Sequence, residues 1–389
     1  MDRETELRLL DECVANARGR PPAGDDAERL VPVAEYTDAA RFGRERDVLF
    51  RASLNLVAHQ SELASAGAFL TRELVGTPVL LTRGEDARAR AFLNVCRHRG
   101  ATVELRERGQ CSRLVCPYHA WTYRLDGTLA SARHRHGFPS LDVERTRLVE
   151  LPCAEAAGFL WVCPTPRAGD DEADPLGDAS TRALLDELTA FGITSCVVFA
   201  VERRVWRANW KLIVDGGLES YHFRVAHRET VGGYFKDTGS TFERLGDHFR
   251  LVLPRVDIEA LASAPRERWS IREASHVLYS VFPNASVLVQ ERHFDVITVT
   301  PLTPDQTLIE VSTLVPDPGA QGFSERARGF WAANHEFTKK TLHEDWTLAE
   351  QIQRGLDAGA NAHFRFATFE GALSQWHDRV DARLAAATP

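Results

Sequence analysis

Two short stretches each offer one thiol and one imidazole: Cys96-Arg97-His98 and Cys116-Pro117-Tyr118-His119, with residues 99–115 between them. Thiolate and imidazole ligands suit zinc and iron–sulfur centres alike. Structural zinc sites commonly pair Cys with Cys and His with His, whereas both arms here are mixed. A two-iron cluster whose inner iron takes one Cys from each arm and whose outer iron takes one His from each arm needs that mixture. A second group lies downstream in "NWKLIVDGGLESYHFRVAH", which holds Glu219, His222 and His227. Two imidazoles and a carboxylate that leave positions open on the metal are the set that holds Fe(II) for oxygen chemistry. The stretch reads as a helix of mixed polarity, and residues five apart on a regular helix lie about 140° from each other. For both histidines to reach one metal, the helix must end or break between them, or widen into a π-type turn.

The elements that position these groups differ along the chain. From about Gly76 to Cys163, short β-rich runs such as "TPVLLTR", "ARAFLNVC" and "GFLWVC" alternate with turn signals, among them Asp126-Gly127, which predicts a small all-β unit. The Pro/Gly/Asp-rich segment 164–178 predicts a linker. Beyond it, "TRALLDELTAFG" reads as a helix and "CVVFAVERRVW" as a strand. Residues 285–317 hold three strands, and a long helical segment starts near Phe323. Strands followed by long helices predict an α+β domain, an antiparallel sheet with helices on one face.

The chain has 389 residues, 44% of them apolar and 26% charged, so a sizeable core is expected. Its net charge of −8 and the lack of a basic block argue against a nucleic-acid partner. No apolar run approaches the ~20 residues that cross a bilayer, and the charged N-terminus has no signal-peptide core, so a cytoplasmic protein is expected. Seven cysteines, an odd number, argue against a disulfide framework, and Cys111 has no assigned role. His134 and His136 follow the β unit in a polar stretch and read as surface residues.

The two Cys/His arms, their separation, Pro117 and the β-rich surroundings are similar to the loops of the Rieske [2Fe-2S] domain. That resemblance assigns Cys96 and Cys116 to the inner iron and His98 and His119 to the outer one. Respiratory Rieske proteins carry two further cysteines in a disulfide over the cluster. Ala101 and Tyr118 stand at those places, which points to an oxygenase or ferredoxin type of lower potential. Asn209, Trp210, Lys211, Glu219, Tyr221, His222 and His227 then resemble the iron-binding segment of the α (catalytic) subunit of Rieske-type non-haem iron oxygenases, the ring-hydroxylating oxygenase family. The family's third ligand matches Asp345, five residues before Glu350, with Glu344 as the competing carboxylate. His343, on the same helical segment, is a candidate to support that ligand set.

The resemblance implies an N-terminal helical segment, 1–45, packing on the catalytic domain. It implies a Rieske domain over 46–165 and a mononuclear iron domain of helix-grip (START/Bet v1-like) fold over 166–389. It implies head-to-tail homotrimers in which Glu219 links His119 of one subunit to His222 of the next. It also implies electrons from NAD(P)H through a separate reductase or ferredoxin, and the absence of a Gly-rich dinucleotide fingerprint agrees. The expected activity is hydroxylation, or oxidative demethylation, of a small organic substrate with O2. Aromatic-ring cis-dihydroxylation and a non-catalytic electron-transfer protein are the competing readings. Glu rather than Asp at 219 resembles the choline, betaine and carnitine monooxygenases and favours quaternary-ammonium or N-methyl substrates. Asp215-Gly216 replaces the family's usual Glu-Asn pair.

Overall fold

The computed structural model of the chain describes residues 1–19, 27–167 and 176–387. Part of the segment expected as a linker, 168–175, lies outside the described residues. The chain divides into two compact units: Phe50–Gly177, and a larger one built from Met1–Leu49 together with Asp178–Pro389. The larger unit therefore draws its residues from both sides of the smaller.

Among its described residues the smaller unit is made of strands and short turns without an α-helix. Its largest sheet runs, in spatial order, Glu150–Leu151, Ala89–Leu93, Thr77–Arg83, Ala68–Leu74 and Arg108–Gln110, all antiparallel. Alternate side chains of a strand point to opposite faces, and here both faces are covered. Leu80 joins Phe69 and Phe92 in one core, while Val79 and Leu81 join Leu70 and Ala91 in another. This two-sided burial is why "TPVLLTR" reads as a nearly unbroken apolar run. The first core also contains Cys96, Cys116, Trp121 and Tyr123, so the thiols of both Cys/His arms grow out of packed hydrophobic residues.

In the larger unit a seven-stranded antiparallel sheet is described. Its order is Cys196–Trp206, Gln306–Pro316, Phe294–Thr303, Ala285–Val289, Ser275–Val281, His248–Pro254 and Thr241–Leu245. The first four strands coincide with those read from the sequence; the last three extend the sheet beyond that reading. The 33-residue helix Glu325–Asp357 starts on Ser324, whose side chain accepts the N–H of Ala327, and packs against Cys196–Trp206 and Gln306–Pro316. Its buried residues His335, Thr338, Trp346, Ala349, Gln353 and Leu356 recur every three or four positions, or a small multiple, as one helix stripe requires. A short helix, Trp210–Gly217, packs against both this helix and the strand Phe294–Thr303. Among the described residues no helix is long and apolar enough to cross a membrane.

Met1–Leu49 is tied into this unit by charge as well as packing. Lys211 and Glu45 are both fully buried, and Lys211 Nζ lies 2.6 and 2.7 Å from the two Glu45 oxygens. Trp210 Nε1 donates to the same carboxylate at 2.9 Å, and Asn209 Nδ2 donates to Tyr36 O at 2.9 Å. The Asn-Trp-Lys signature is thus a structural clasp on the N-terminal segment. The strand Arg29–Pro32 adds to it by pairing antiparallel with His363–Phe366.

Candidate metal centres

The two Cys/His arms of the smaller unit have the same backbone design. In the first, Cys96 N donates to Ala101 O and Gly100 N to Cys96 O, at 2.8 and 2.9 Å. In the second, Cys116 N donates to Trp121 O and Ala120 N to Cys116 O, at 2.9 and 3.0 Å. Each loop turns back through a residue of positive φ, Gly100 at +76° and Ala120 at +58°. The cysteines are 4 and 3% exposed, and the rings of His98 and His119 lie 4.7 Å apart. His98 stacks on Trp121 at 4.9 Å with an interplanar angle of 11°. His119 Nδ1 is buried without a hydrogen-bond partner. Burial pushes the Cys116 thiol up, so the thiolate that a metal requires is a form the metal itself must stabilise. Two buried sulfurs, two adjoining imidazoles and an orphaned ring nitrogen fit a [2Fe-2S] cluster. Sequence reasoning missed Tyr123, whose hydroxyl lies 3.3 Å from Cys96 Sγ and accepts the N–H of Arg97 at 3.0 Å.

In the larger unit the stretch read as one helix is two. The helix Trp210–Gly217 is capped by the Asn209 side chain, which accepts Lys211 N, and stops at Gly216-Gly217, where helix propensity is poor. The Glu219 carboxylate then accepts the backbone N–H groups of Tyr221 and His222 and starts a single turn, Phe223–Ala226. His222 is the residue before that turn and His227 the residue after it. Their spacing of five is therefore resolved by a break, not by a π-type turn. Their Nε2 atoms approach to 3.1 Å, and Asp345 Oδ1 lies 3.2 and 2.9 Å from them. One ligand atom from each of His222, His227 and Asp345 lies within 4.8 Å of the others, a group that could hold a metal ion.

The outer nitrogens are held in a matching way. His222 Nδ1 faces Glu219 Oε1, and His227 Nδ1 lies 2.9 Å from Glu344 Oε2, which also accepts Thr230 Oγ1 at 2.5 Å. A carboxylate behind each imidazole fixes its tautomer and aims the other nitrogen at the metal position. Burial disfavours both imidazoliums, yet Asp345 and Glu219 hold His222 up at about 10, and Asp345 and Glu344 raise His227. Burial likewise opposes the Asp345 carboxylate, and the two histidines outweigh it and lower its pKa. The meeting point of two Nε2 atoms and one carboxylate oxygen thus demands positive charge, and the donor set suits Fe(II).

Glu344 is the carboxylate behind His227, and His343 points elsewhere: its Nε2 lies 3.3 Å from Glu202 and its ring packs between Trp206 and Trp346. Glu350 accepts the backbone N–H of Arg207 at 3.0 Å. Asp215 is turned toward the N-terminal segment, accepting Tyr36 OH at 2.7 Å and facing His377 Nε2 at 3.1 Å. Tyr221 is exposed and packs edge-on to Phe369. His134 and His136 are exposed around the turn Arg135–Gly137, and Cys111 is half-buried beside the first core. Gly232 supports the histidine turn unseen from sequence: a Cβ there would come within 2.8 Å of the carbonyl oxygens of Phe223 and His227.

Comparisons with known proteins match both parts of the chain. The family description "Ring hydroxylating alpha subunit (catalytic domain)" matches residues 188–386, and "Rieske [2Fe-2S] domain" matches 53–142. The carnitine monooxygenase oxygenase subunit of Escherichia coli (strain K12) is 38% identical over 197 residues, 51% of this chain and 52% of that one. The chain thus spans about half the length of such carnitine monooxygenase subunits. The glycine betaine monooxygenase oxygenase subunit of Chromohalobacter salexigens is 28% identical over 90% of this chain and 85% of its own. A solved quaternary ammonium Rieske monooxygenase, in complex with gamma-butyrobetaine, superposes with a TM-score of 0.73 at 25% identity, covering 96% of this chain and 98% of that one. With a family match over half its length, this chain belongs to the ring-hydroxylating α subunits, carrying a Rieske [2Fe-2S] domain ahead of the catalytic domain.

Proposed function

We propose that the chain is the oxygenase component of a Rieske system that hydroxylates, or through hydroxylation demethylates, a small quaternary-ammonium or N-methyl compound. The observation that carries this reading is the presence of two distinct donor sets in one chain, Cys96/His98/Cys116/His119 and His222/His227/Asp345. The named activities of the carnitine and glycine betaine relatives support the substrate class. When bound, the cluster supplies single electrons and the mononuclear Fe(II) supplies O2 activation. Cys96 and Cys116 are the inner ligands of the first and His98 and His119 the outer ones; His222, His227 and Asp345 hold the second.

The protein's own part is orientation and charge. Glu219 and Glu344 would keep the Nδ1 protons of His222 and His227, so that with a metal bound both Nε2 lone pairs and the Asp345 carboxylate turn to one position. Glu219 also stands beside the exposed Tyr221, whose N–H its carboxylate accepts. In a head-to-tail homotrimer it would join His222 to His119 of the partner subunit, and an NAD(P)H-dependent reductase or ferredoxin would be the electron donor.

The test is the stoichiometry of metal and oxygen. Metal analysis is expected to give about three irons per chain, two from the cluster and one from the mononuclear site. Turnover with labelled O2, reductase and a quaternary-ammonium substrate is expected to place one labelled atom in the product. Two labelled atoms would instead identify a dihydroxylating enzyme. Cluster iron alone, with no O2 uptake, would identify an electron-transfer protein.

A further inference from the structure

Between the helix Trp210–Gly217 and the inner face of the large sheet lies a cavity of about 60 Å3 that reaches Asp345. Its walls are chiefly aliphatic, including Leu278, Ile297, Val299 and Leu342, with Trp346 as an aromatic surface. A cavity less than half the ~150 Å3 that accommodates benzene admits only a compact molecule, or one end of a larger one.

Polar groups enter this cavity from one hairpin. Ser280 and Ser286 are directly opposed on neighbouring strands and both line it. Opposed residues of an antiparallel pair share a face with Cβ atoms about 4.5–5.5 Å apart, so one substrate oxygen can meet both hydroxyls. Ser280 is 3% exposed, and neither hydroxyl makes a hydrogen bond to another described residue. A hydroxyl that faces a cavity can take its hydrogen-bond partner from a molecule held there. Among the described residues no Lys, Arg or His lines the cavity, and Asp345 is its one ionised side chain. A substrate carboxylate placed against the serines would lose its hydration and gain no counter-charge from the side chains around them.

We propose that Ser280 and Ser286 form a subsite for the uncharged oxygen-bearing end of the substrate, a hydroxyl or carbonyl, and that this subsite selects against carboxylate-ended molecules. The inference rests on the proposed function, because it takes the Asp345 end of the cavity as the reacting end.

The experiment measures equilibrium binding to the fully iron-loaded protein with four probes of similar shape. These are choline, glycine betaine, and their carbon isosteres 3,3-dimethylbutan-1-ol and 3,3-dimethylbutanoate. Each alcohol is expected to bind at least ~10-fold more tightly than its carboxylate counterpart. Ser280→Ala/Ser286→Ala is expected to weaken alcohol binding about tenfold, in the range of one good hydrogen bond, and to leave carboxylate binding unchanged. Ser286→Ala alone, at the less buried position, is expected to show part of the same loss. Carboxylates binding as well as alcohols, or an alcohol-to-carboxylate ratio unmoved by the double substitution, overturns the subsite. Equal binding of choline and its carbon isostere overturns the quaternary-ammonium reading alone, since the alcohol-to-carboxylate ratio still decides the serines. No binding of any probe overturns both.

Discussion

In the Rieske domain His98 and His119 stand on loops whose shape comes from backbone hydrogen bonds around Cys96 and Cys116, whereas in the catalytic domain His222 and His227 are each backed by a carboxylate. The first site is built by local chain geometry: two loops of equal length, each closed by paired N–H···O bonds. The second is built by side chains that meet across the fold, Glu219 from the histidine loop and Glu344 with Asp345 from the long helix. The difference teaches where each site is vulnerable. A backbone-made site tolerates change in its surroundings and depends on its ligands, while a side-chain-made site depends also on ionisable groups behind the ligands.

Substitutions can break that contrast. Asp345→Ala is expected to abolish mononuclear iron binding and lower product formation more than about 100-fold, beyond the usual cost of an outer partner. The visible spectrum of the cluster should be unaltered; its loss would show that the two sites are not independently built. Glu45→Gln is expected to leave the buried Lys211 ammonium without its counter-charge and to cost about 3–5 kcal/mol in denaturant unfolding. A change below ~1 kcal/mol would mean the clasp is dispensable. Glu344→Gln is expected to weaken iron binding by roughly 10–100-fold, read by chelator competition. If affinity were unchanged, the claim that carboxylates hold the catalytic histidines would fail.

Two smaller effects sharpen the same comparison. Tyr123→Phe removes the hydroxyl from Cys96 Sγ and is expected to lower the cluster potential by roughly 20–60 mV, the one-electron equivalent of a 0.5–1.5 kcal/mol hydrogen bond. Voltammetry showing no shift would mean the contact does not act on the cluster. In the catalytic domain the buried His377 is disfavoured as an imidazolium by burial, but Asp215 and Glu35 outweigh this and raise its pKa. A raised folded-state pKa contributes stability below the unfolded value of ~6.5, and that contribution is lost as pH rises through the folded value. Unfolding free energy should therefore decline from about pH 6.5 upward, and His377→Gln should flatten that decline. An identical slope in the variant would remove His377 as its cause.

The same contrast explains what could be read from the sequence. Cys96, His98, Cys116 and His119 were legible because loops closed by backbone bonds convert sequence spacing directly into spatial spacing. His222 and His227 were legible as a pair, but their helix was read through Gly216-Gly217, the signal that ends it. Asp345 is far away in sequence and came from family resemblance alone. Glu344 was visible as a carboxylate and its role was not, because adjacent helix residues point about 100° apart and only the fold says which faces the ring and which the metal position. In the sheet, Thr241–Leu245 and His248–Pro254 went unread although Gly246-Asp247 between them is a two-residue hairpin signal, with Gly246 at φ +66°. Glu45 had no readable signal, since a buried acid looks like a surface one until its lysine is known.

The Rieske domain is inserted into the catalytic one, whose chain leaves at Leu49 and resumes at Asp178. Synthesis consequently delivers Glu45 to the growing chain well before its partner Lys211, with the whole insert emerging in between. A domain folding on the ribosome can complete the insert first, while Glu45 in the opening segment has Arg41 beside it but not yet its lysine. Release of the later residues then closes the catalytic domain around a salt bridge between its earliest and later parts. Cutting the gene at the domain boundary would separate that pair, so an intact catalytic domain requires either both flanks or a short artificial joint in place of the insert.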